Sequence, residues 1–355
     1  MSKLRLGVVF GGRSVEHEVS VVSAMELLAH ADPERFEPAP FGVTRDGRWL
    51  TPQETAHTLD RDEPLFKKRL QADVPPLAGR PEVIRELAAC DVVFPLIHGI
   101  NGEDGTLQGL LEMLGLPYVG CGVAASAIGM DKVLQKDLFV QAGLEVAPFF
   151  FAMKHQWAEI PKLIVQSVEQ SFDYPVFVKP SNGGSSVGVS KVRSREDLGD
   201  AMSAAFRIGR KVLVEAAVRG REVECGVLGN DEPEASPVGE VVPGGEFYDY
   251  AAKYLDDSAR LVAPADLPEE MAEELQEAAI TAFQAIAGEG FARVDFFLPE
   301  GEAPIINEIN TLPGFTPISM FPRLWGLAGV PYGELISRLV DLALARFRER
   351  EALRA

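Results

Sequence analysis

No run in the 355-residue chain approaches the roughly 18 consecutive apolar residues that a membrane span needs, and the N-terminal apolar stretch "LGVVF" is short. No membrane association is therefore expected, and a cytoplasmic location is the default. Cysteine is scarce: Cys90, Cys121 and Cys225 are odd in number and widely spaced, and they form no CxxC or Cys/His ligand pattern. That excludes a disulfide framework and a cysteine metal site, and leaves buried free thiols as the expectation. Basic residues are few, 34 Lys and Arg against 53 Asp and Glu, for a net charge of −19. So acidic a chain lacks the basic face that non-specific binding to nucleic acid or to an anionic membrane requires. An anionic small ligand is still compatible, because lysines and backbone N–H groups act over a few ångströms and the wider field is screened. No internal repeat or low-complexity block is evident.

At this length, two or three domains sharing a cleft are expected rather than one core. "LRLGVVFGG" is a buried-strand pattern ending in glycines, and "EVSVVSAMELLAHA" continues as an amphipathic helix. "ACDVVFPLIHG" and "GTLQGLLEMLG" repeat the scheme, so an α/β domain with a doubly wound parallel sheet is expected over residues 1–121. Residues 50–85 are polar and proline-rich and read as a peripheral insert. Over residues 122–217 the order becomes helix ("MDKVLQKDLFVQAG"), strand ("YPVFVKP"), a Gly/Ser run, strand ("VGVSKV"), helix and strand ("KVLVEAA"), a small α+β unit. Residues 218–355 follow with the strands "REVECGVLG", "FARVDFFL" and "APIINEIN", a long helix near 267–288 and a terminal helix from 333.

"ARVDFFLPEGEAPIINEIN" is the most informative stretch: two strands around a Pro/Gly turn read as a hairpin. Alternation puts Arg293 and Asp295 on one face, and Glu308 and Asn310 on one face of the partner strand. If the two faces coincide, two carboxylates and an amide offer the hard oxygen ligands that magnesium takes. A solvated polar face is the plainer alternative, opposed by strongly apolar flanks. In "NTLPGFTPISMFP", Gly314 could present a backbone N–H to developing negative charge near Arg293, or simply form a turn. "KPSNGGSSVGVS" lies between two strands and is not a GxxxxGK[ST] loop, since Lys179 precedes its glycines. Its glycines and serines, Ser185 and Ser186 among them, could cradle a phosphate or form a disordered hairpin tip.

Other candidates are weaker singly. Lys132 falls near a helix start, "VEAAV" could offer hinge backbone to a purine, and Glu222 could bind ribose hydroxyls. The tyrosine-rich "PGGEFYDYAAKYLDDSARLVAP", with Lys253 and Tyr254, has the character of an active-site lid or of a surface loop with buried aromatics. Glu16 and His98 each follow a strand on the same edge of one sheet, where open α/β folds bind ligands. The first turn, "GGRSVE", lacks GxGxxG and disfavours a dinucleotide oxidoreductase.

Taken in order and spacing, "GGRSVEHEVS", "HGINGEDGTLQG", "KPSNGGSSVGVS", "FYDYAAKY", "ARVDFF" and "NEINTLPGFTP" resemble the ATP-grasp carboxylate–amine ligases, specifically those that join two D-alanines. The resemblance spans nearly the whole chain except residues 50–85 and the C-terminal tail. It implies a three-domain ATP-grasp architecture, ATP with two magnesium ions (manganese possible), D-alanine as substrate and a homodimer. Lys132, Lys179, Ser185 and Ser186 would then hold the ATP phosphates. Glu215, Ala217 and Val218 would frame the adenine, and Glu222 would bind the ribose. Asp295, Glu308 and Asn310 would bind the metal ions. Ser185 would join Glu16 and Tyr254 in one hydrogen-bonded set, with Glu16 and His98 near the first D-alanine. Arg293 and the Gly314 N–H would stabilise a tetrahedral intermediate, Lys253 would reach the γ-phosphate, and Ser319 with the Met320 backbone would receive the second substrate's carboxylate. Tyrosine at 254 accompanies the dipeptide product in that family, phenylalanine the D-lactate ester. D-lactate or D-serine ligation is the nearest rival, and a nucleotide-responsive binding protein without catalysis the rival from another class.

Overall fold

The computed structural model describes residues 2–59, 69–242, 260–316 and 318–354. The opening strand β1 (Leu4–Gly11) lies between β2 (Phe36–Val43) and β3 (Val92–Pro95), both parallel to it. A strand covered on both faces reads as a continuous apolar run, and Leu6, Val8, Val9 and Phe10 are fully buried. The chain leaves β1 through Gly11 and Gly12, both at positive φ, into the helix His17–His30.

The stretch expected to be peripheral is partly built into this domain. It contributes the helices Pro52–Leu59 and Pro81–Ala88, and Leu50 and Leu70 are buried. The Leu70 N–H donates to Nε2 of buried His17 at 3.2 Å, and the Gly42 N–H donates to Thr55 Oγ1 at 2.9 Å. Polar composition concealed this because few of its side chains carry the packing while its hydrogen bonds tie it to the sheet.

The central unit is an antiparallel sheet of β4 (Phe149–Met153), β5 (Val176–Pro180), β6 (Ser190–Val192) and β7 (Lys211–Ala216), in the order β4-β7-β5-β6. Strand β6 is shorter than the run "VGVSKV", whose first half belongs to the glycine-rich loop. Helices Pro161–Ser171 and Arg195–Ile208 set Ile164, Val168, Leu198, Met202 and Phe206 against Val176, Val178, Val212 and Val214. The third unit is the antiparallel sheet β10-β9-β8-β11-β12: β8 (Arg221–Gly229), β9 (Glu234–Val242), β10 (Arg260–Val262), β11 (Gly290–Leu298) and β12 (Ile305–Asn310). Helix Glu269–Ala285 packs on it through Leu275, Ala279, Ala282 and Phe283. All three cysteines are free and buried, and among the described residues no helix is long and apolar enough to cross a membrane.

Aromatic rings join the first and third units. Phe94, from β3, meets Phe315 at 5.6 Å and Phe291 at 6.4 Å between centroids. Phe315 also contacts Phe291, Phe321 and Tyr332 at 5.7, 5.9 and 5.7 Å. The Tyr332 hydroxyl donates to the Phe315 carbonyl at 2.8 Å, pinning the loop after β12. Phe291, Phe315 and Phe321 are fully buried, so their contribution is area burial plus edge-to-face ring contact. Replacing Phe315 with alanine is expected to lower stability by about 3–5 kcal/mol, read from the first urea unfolding transition, with leucine costing less. An unchanged midpoint in the alanine variant would contradict a joining role for the ring cluster.

Candidate functional site

Two cavities share a wall. One, of about 580 Å³, is lined by Glu16, His98, Arg293, Asn310, Gly314, Ser319 and Met320. The other, of about 340 Å³, is lined by Lys179, Ser186, Glu215, Ala217, Val218, Glu222 and Asp295. Lys132, Ser185 and Glu308 line both. The structure thus gathers every candidate residue of the sequence except Lys253 and Tyr254, which lie outside the described residues.

The hairpin of β11 and β12 pairs Arg293 with Asn310 and Asp295 with Glu308 directly across the ladder, so all four side chains share one face. Register slips just beyond, between Asp295 and Phe296, at the end of this polar set. Each carboxylate is held by a cation of the chain. Asp295 accepts from both Nε and Nη2 of Arg293 at 2.6 and 2.7 Å, and Arg293 also pairs with Glu224 at 3.3 Å. Glu308 pairs with Lys132, whose ammonium also donates to the Gly183 carbonyl at 3.2 Å. Burial disfavours charge on Lys132, but Glu308 outweighs it and raises its pKa above the usual lysine value.

No cluster of three His, Cys, Asp or Glu side chains is drawn around one point among the described residues. The donor set nevertheless fits a hard divalent cation, since two opposed carboxylates and the Asn310 amide supply oxygen, and phosphate and water complete such a shell. Arg293 and Lys132 hold the carboxylates at the positions such an ion would neutralise.

Helix Lys132–Gln141 is anchored by its cap. The Asp131 carboxylate accepts from the Val133 and Leu134 N–H groups, from Ser181 Oγ at 2.6 Å and from Lys211 Nζ at 2.6 Å. These bonds tie the helix to the start of the glycine-rich loop, which the Lys132 N–H also contacts through the Ser181 carbonyl at 3.0 Å. Farther along the loop, Ser185 Oγ donates to the Glu16 carboxylate. Ser185 and Ser186 both adopt left-handed backbone, with φ of 50° and 58°, a conformation that costs an L-residue roughly 1 kcal/mol. A Cβ on Gly184 would stand 3.2 Å from Glu16 Oε2, so the carboxylate would have to give by a few tenths of an ångström. Of the expected set Ser185, Glu16 and Tyr254, the Ser185–Glu16 hydrogen bond is formed.

At the opposite end, Thr316 and Ser319 brace the turn containing Gly314. The Thr316 N–H donates to Ser319 Oγ at 3.0 Å, and a Cβ on Gly314 would stand 2.8 Å from that oxygen. His98 is buried with Nδ1 3.4 Å from Glu103 and Nε2 3.3 Å from Ser23 Oγ. Burial alone would strip its proton, but the hydrogen bond and charge of Glu103, then the charge of Glu16, raise its pKa above 6.5.

Sequence reasoning missed Glu103, Glu224 and Lys136. Lys136 stands one helical turn after Lys132, and this i, i+4 spacing was the available signal. Its ammonium lies 3.3 Å from Glu215 Oε2, while Lys179 pairs with Oε1. Burial pushes the Glu215 carboxyl up, but the two lysines outweigh it and hold it below the usual range.

Against family models, residues 5–121 match that described as D-ala D-ala ligase N-terminus and residues 138–341 that described as D-ala D-ala ligase C-terminus. The D-alanine–D-alanine ligase of Geobacillus thermodenitrificans is 48% identical over 358 residues, covering 99% of this chain and 98% of that protein. That of Acetivibrio thermocellus is 45% identical over 371 residues, covering 98% and 97%. Among solved structures, the D-alanine–D-alanine ligase from Coxiella burnetii superposes with a TM-score of 0.79 at 32% identity, covering 99% of this chain and 97% of that one. The VanG D-Ala:D-Ser ligase from Enterococcus faecalis superposes with a TM-score of 0.82 at 33% identity, covering 96% and 100%.

Because the folded pKa of His98 is raised, the stability it contributes is complete below its unfolded value of 6.5 and is lost as pH rises through the folded value. Glu103→Gln should lower the His98 pKa, followed by NMR titration of the ring proton, and flatten stability over that window. An unshifted titration would refute the pairing.

Proposed function

The chain belongs to the D-alanine–D-alanine ligase family, and from that premise we propose that it joins two D-alanines at the expense of ATP, using the larger cavity for the amino acids and the smaller for the nucleotide. The observation that carries the reading is the shared wall, where Lys132, Ser185 and Glu308 face both cavities and so stand where a γ-phosphate would meet a carboxylate.

Triphosphate and carboxylate repel each other, so charge neutralisation is the first requirement. Two magnesium ions, or manganese in their place, would supply it when held by Asp295, Glu308 and Asn310. Lys132 and Lys179 turn from their carboxylate partners to the phosphate oxygens, and Ser186 adds a donor from the loop. Glu215, with the backbone of Ala217 and Val218, receives the adenine, and Glu222 the ribose hydroxyls. Glu16 and His98 orient the first D-alanine. Its carboxylate oxygen bonds to the γ-phosphorus as the bond from that phosphorus to the β-γ bridging oxygen breaks, giving an acyl phosphate and ADP. The neutral amine of the second D-alanine, its carboxylate received by Ser319 and the Met320 N–H, bonds to the carbonyl carbon. Arg293 and the Gly314 N–H meet the oxyanion that forms. Its collapse breaks the carbon–oxygen bond to phosphate, and the amine proton is lost to solvent or phosphate. The Ser185–Glu16 bond holds the loop over the intermediate, which water would otherwise hydrolyse. In this reading Lys253 reaches the γ-phosphate and Tyr254 completes the latch. The family assignment supports a cytoplasmic homodimer for peptidoglycan precursor synthesis, and light scattering on the purified protein checks its mass.

Purified protein with ATP and magnesium should release phosphate in proportion to added D-alanine, and mass spectra of mixed-acceptor reactions should show the dipeptide ahead of products from D-serine or D-lactate. Phosphate release indifferent to D-alanine sinks the reading. Ser185→Ala should lower turnover about 10- to 100-fold, the worth of one hydrogen bond to a charged group, and impair turnover far more than it lowers the unfolding midpoint. Wild-type kinetics in that variant would remove the latch from the mechanism.

A further inference from the structure

The side chain of Lys136 is 1% exposed and lines neither cavity. Its ammonium and Oε2 of Glu215 face each other at 3.3 Å, and neither atom makes a hydrogen bond. Glu215 is already paired through Oε1 with Lys179, so the triad sets two ammonium groups on one buried carboxylate. For stability alone this is a poor arrangement. A second buried cation adds desolvation and repulsion, and an apolar chain of the same length would pack there without either.

The two lysines differ in what they can reach. Lys179 lines the nucleotide cavity, while Lys136 is walled off beneath it. In the ligase reading, on which this inference rests, Lys179 turns to the triphosphate. Without Lys136, Glu215 would then be a buried carboxylate with no cation, a state far costlier than the pair. We propose that Lys136 is a positioning residue for nucleotide binding: the partner that stays with Glu215, holding that carboxylate in place when Lys179 leaves it for the phosphates. The exchange frees Oε1. An ionised carboxylate only accepts hydrogen bonds, so the freed oxygen suits a base that presents an amino group and repels one that presents a carbonyl there. Lys136 thereby supports the choice of adenine over a 6-oxopurine without touching either.

The experiment compares wild type, Lys136→Met and Lys136→Arg by calorimetric binding of ADP with magnesium, by thermal unfolding with and without ADP, and by KM for ATP and for ITP. In the absence of nucleotide Lys179 still covers Glu215, so Lys136→Met should fold and melt with the wild type. Its ADP affinity should fall about 10- to 100-fold, its ADP-induced rise in melting temperature should shrink accordingly, and its preference for ATP over ITP should narrow. Turnover at saturating ATP should change far less than KM, and arginine should restore most of the affinity. Wild-type ADP affinity in Lys136→Met overturns the proposal. So does a fall in its nucleotide-free melting temperature with the ADP-induced rise intact, or failure of Lys136→Met to fold, since either makes Lys136 a structural support. Binding needs no turnover, so a wild type that binds ADP but fails to ligate D-alanine removes the ligase reading and leaves this comparison standing.

Discussion

A carboxylate taken out of water must keep a cation beside it, and the site is organised around that requirement. Asp295 has Arg293, Glu308 has Lys132, Glu215 has Lys179 and Lys136, and Asp131 has Lys211. The cations that a triphosphate would attract are already gathered at the cavity wall, parked on the acids that would otherwise be unpaired. Binding a nucleotide then becomes an exchange of partners rather than the assembly of a charge cluster from solvent, and the ordering cost is met largely by the fold. The same logic separates Lys211 from the others. Its partner Asp131 caps a helix and is bonded to Ser181, so this pair fixes the loop's starting point and has no exchange to make.

Such an exchange works only if the backbone beneath it stays still, and two features hold it. The direct opposition of Asp295 with Glu308 and of Arg293 with Asn310 comes from the antiparallel register, and a slip of one residue would send the whole set to the other face. That hairpin is in turn clamped to the first sheet by Phe291 and Phe315 against Phe94, four residues before His98. The distance between His98 and Arg293 is thus set by ring packing in the core. By contrast Ser185 and Ser186 sit in left-handed backbone, and Ser185 Oγ donates to the Glu16 carboxylate across the gap between loop and first sheet.

Much of this was legible in the sequence because the relevant signals are local. The hairpin reads from alternation and its Pro/Gly turn, and the residues of both cavities lie in short motifs whose order carries the resemblance to the ATP-grasp ligases. Two of the strands that escaped notice, β2 and β9, carry proline. Pro38 and Pro40 interrupt β2, which tolerates them because it is a sheet edge. Pro237 interrupts β9 where the ladder to β8 shifts register between Cys225 and Val227, and Ser236 Oγ there accepts the Gly226 N–H at 2.9 Å in place of a ladder bond. Leu70 and Lys136 were hidden for another reason. A leucine in a polar stretch and a lysine on a charged helix are surface residues by composition, and only the tertiary fold reveals that both are buried.

The net charge of −19 and the affinity for an anion are reconciled by range. Over more than a Debye length, about 8 Å at physiological ionic strength, the acidic surface is screened and contributes little at the cavity. Within it, a nucleotide in the smaller cavity would meet Lys132 and Lys179, and each lysine is already stripped of most of its water, so its interaction with phosphate would be weakened less by solvent than a surface lysine's. A protein can therefore be strongly acidic outside and locally cationic inside provided the inner lysines have acids to rest on while the site is empty of phosphate. The carboxylates beside the smaller cavity, far from opposing an anionic ligand, hold those lysines in place at its wall.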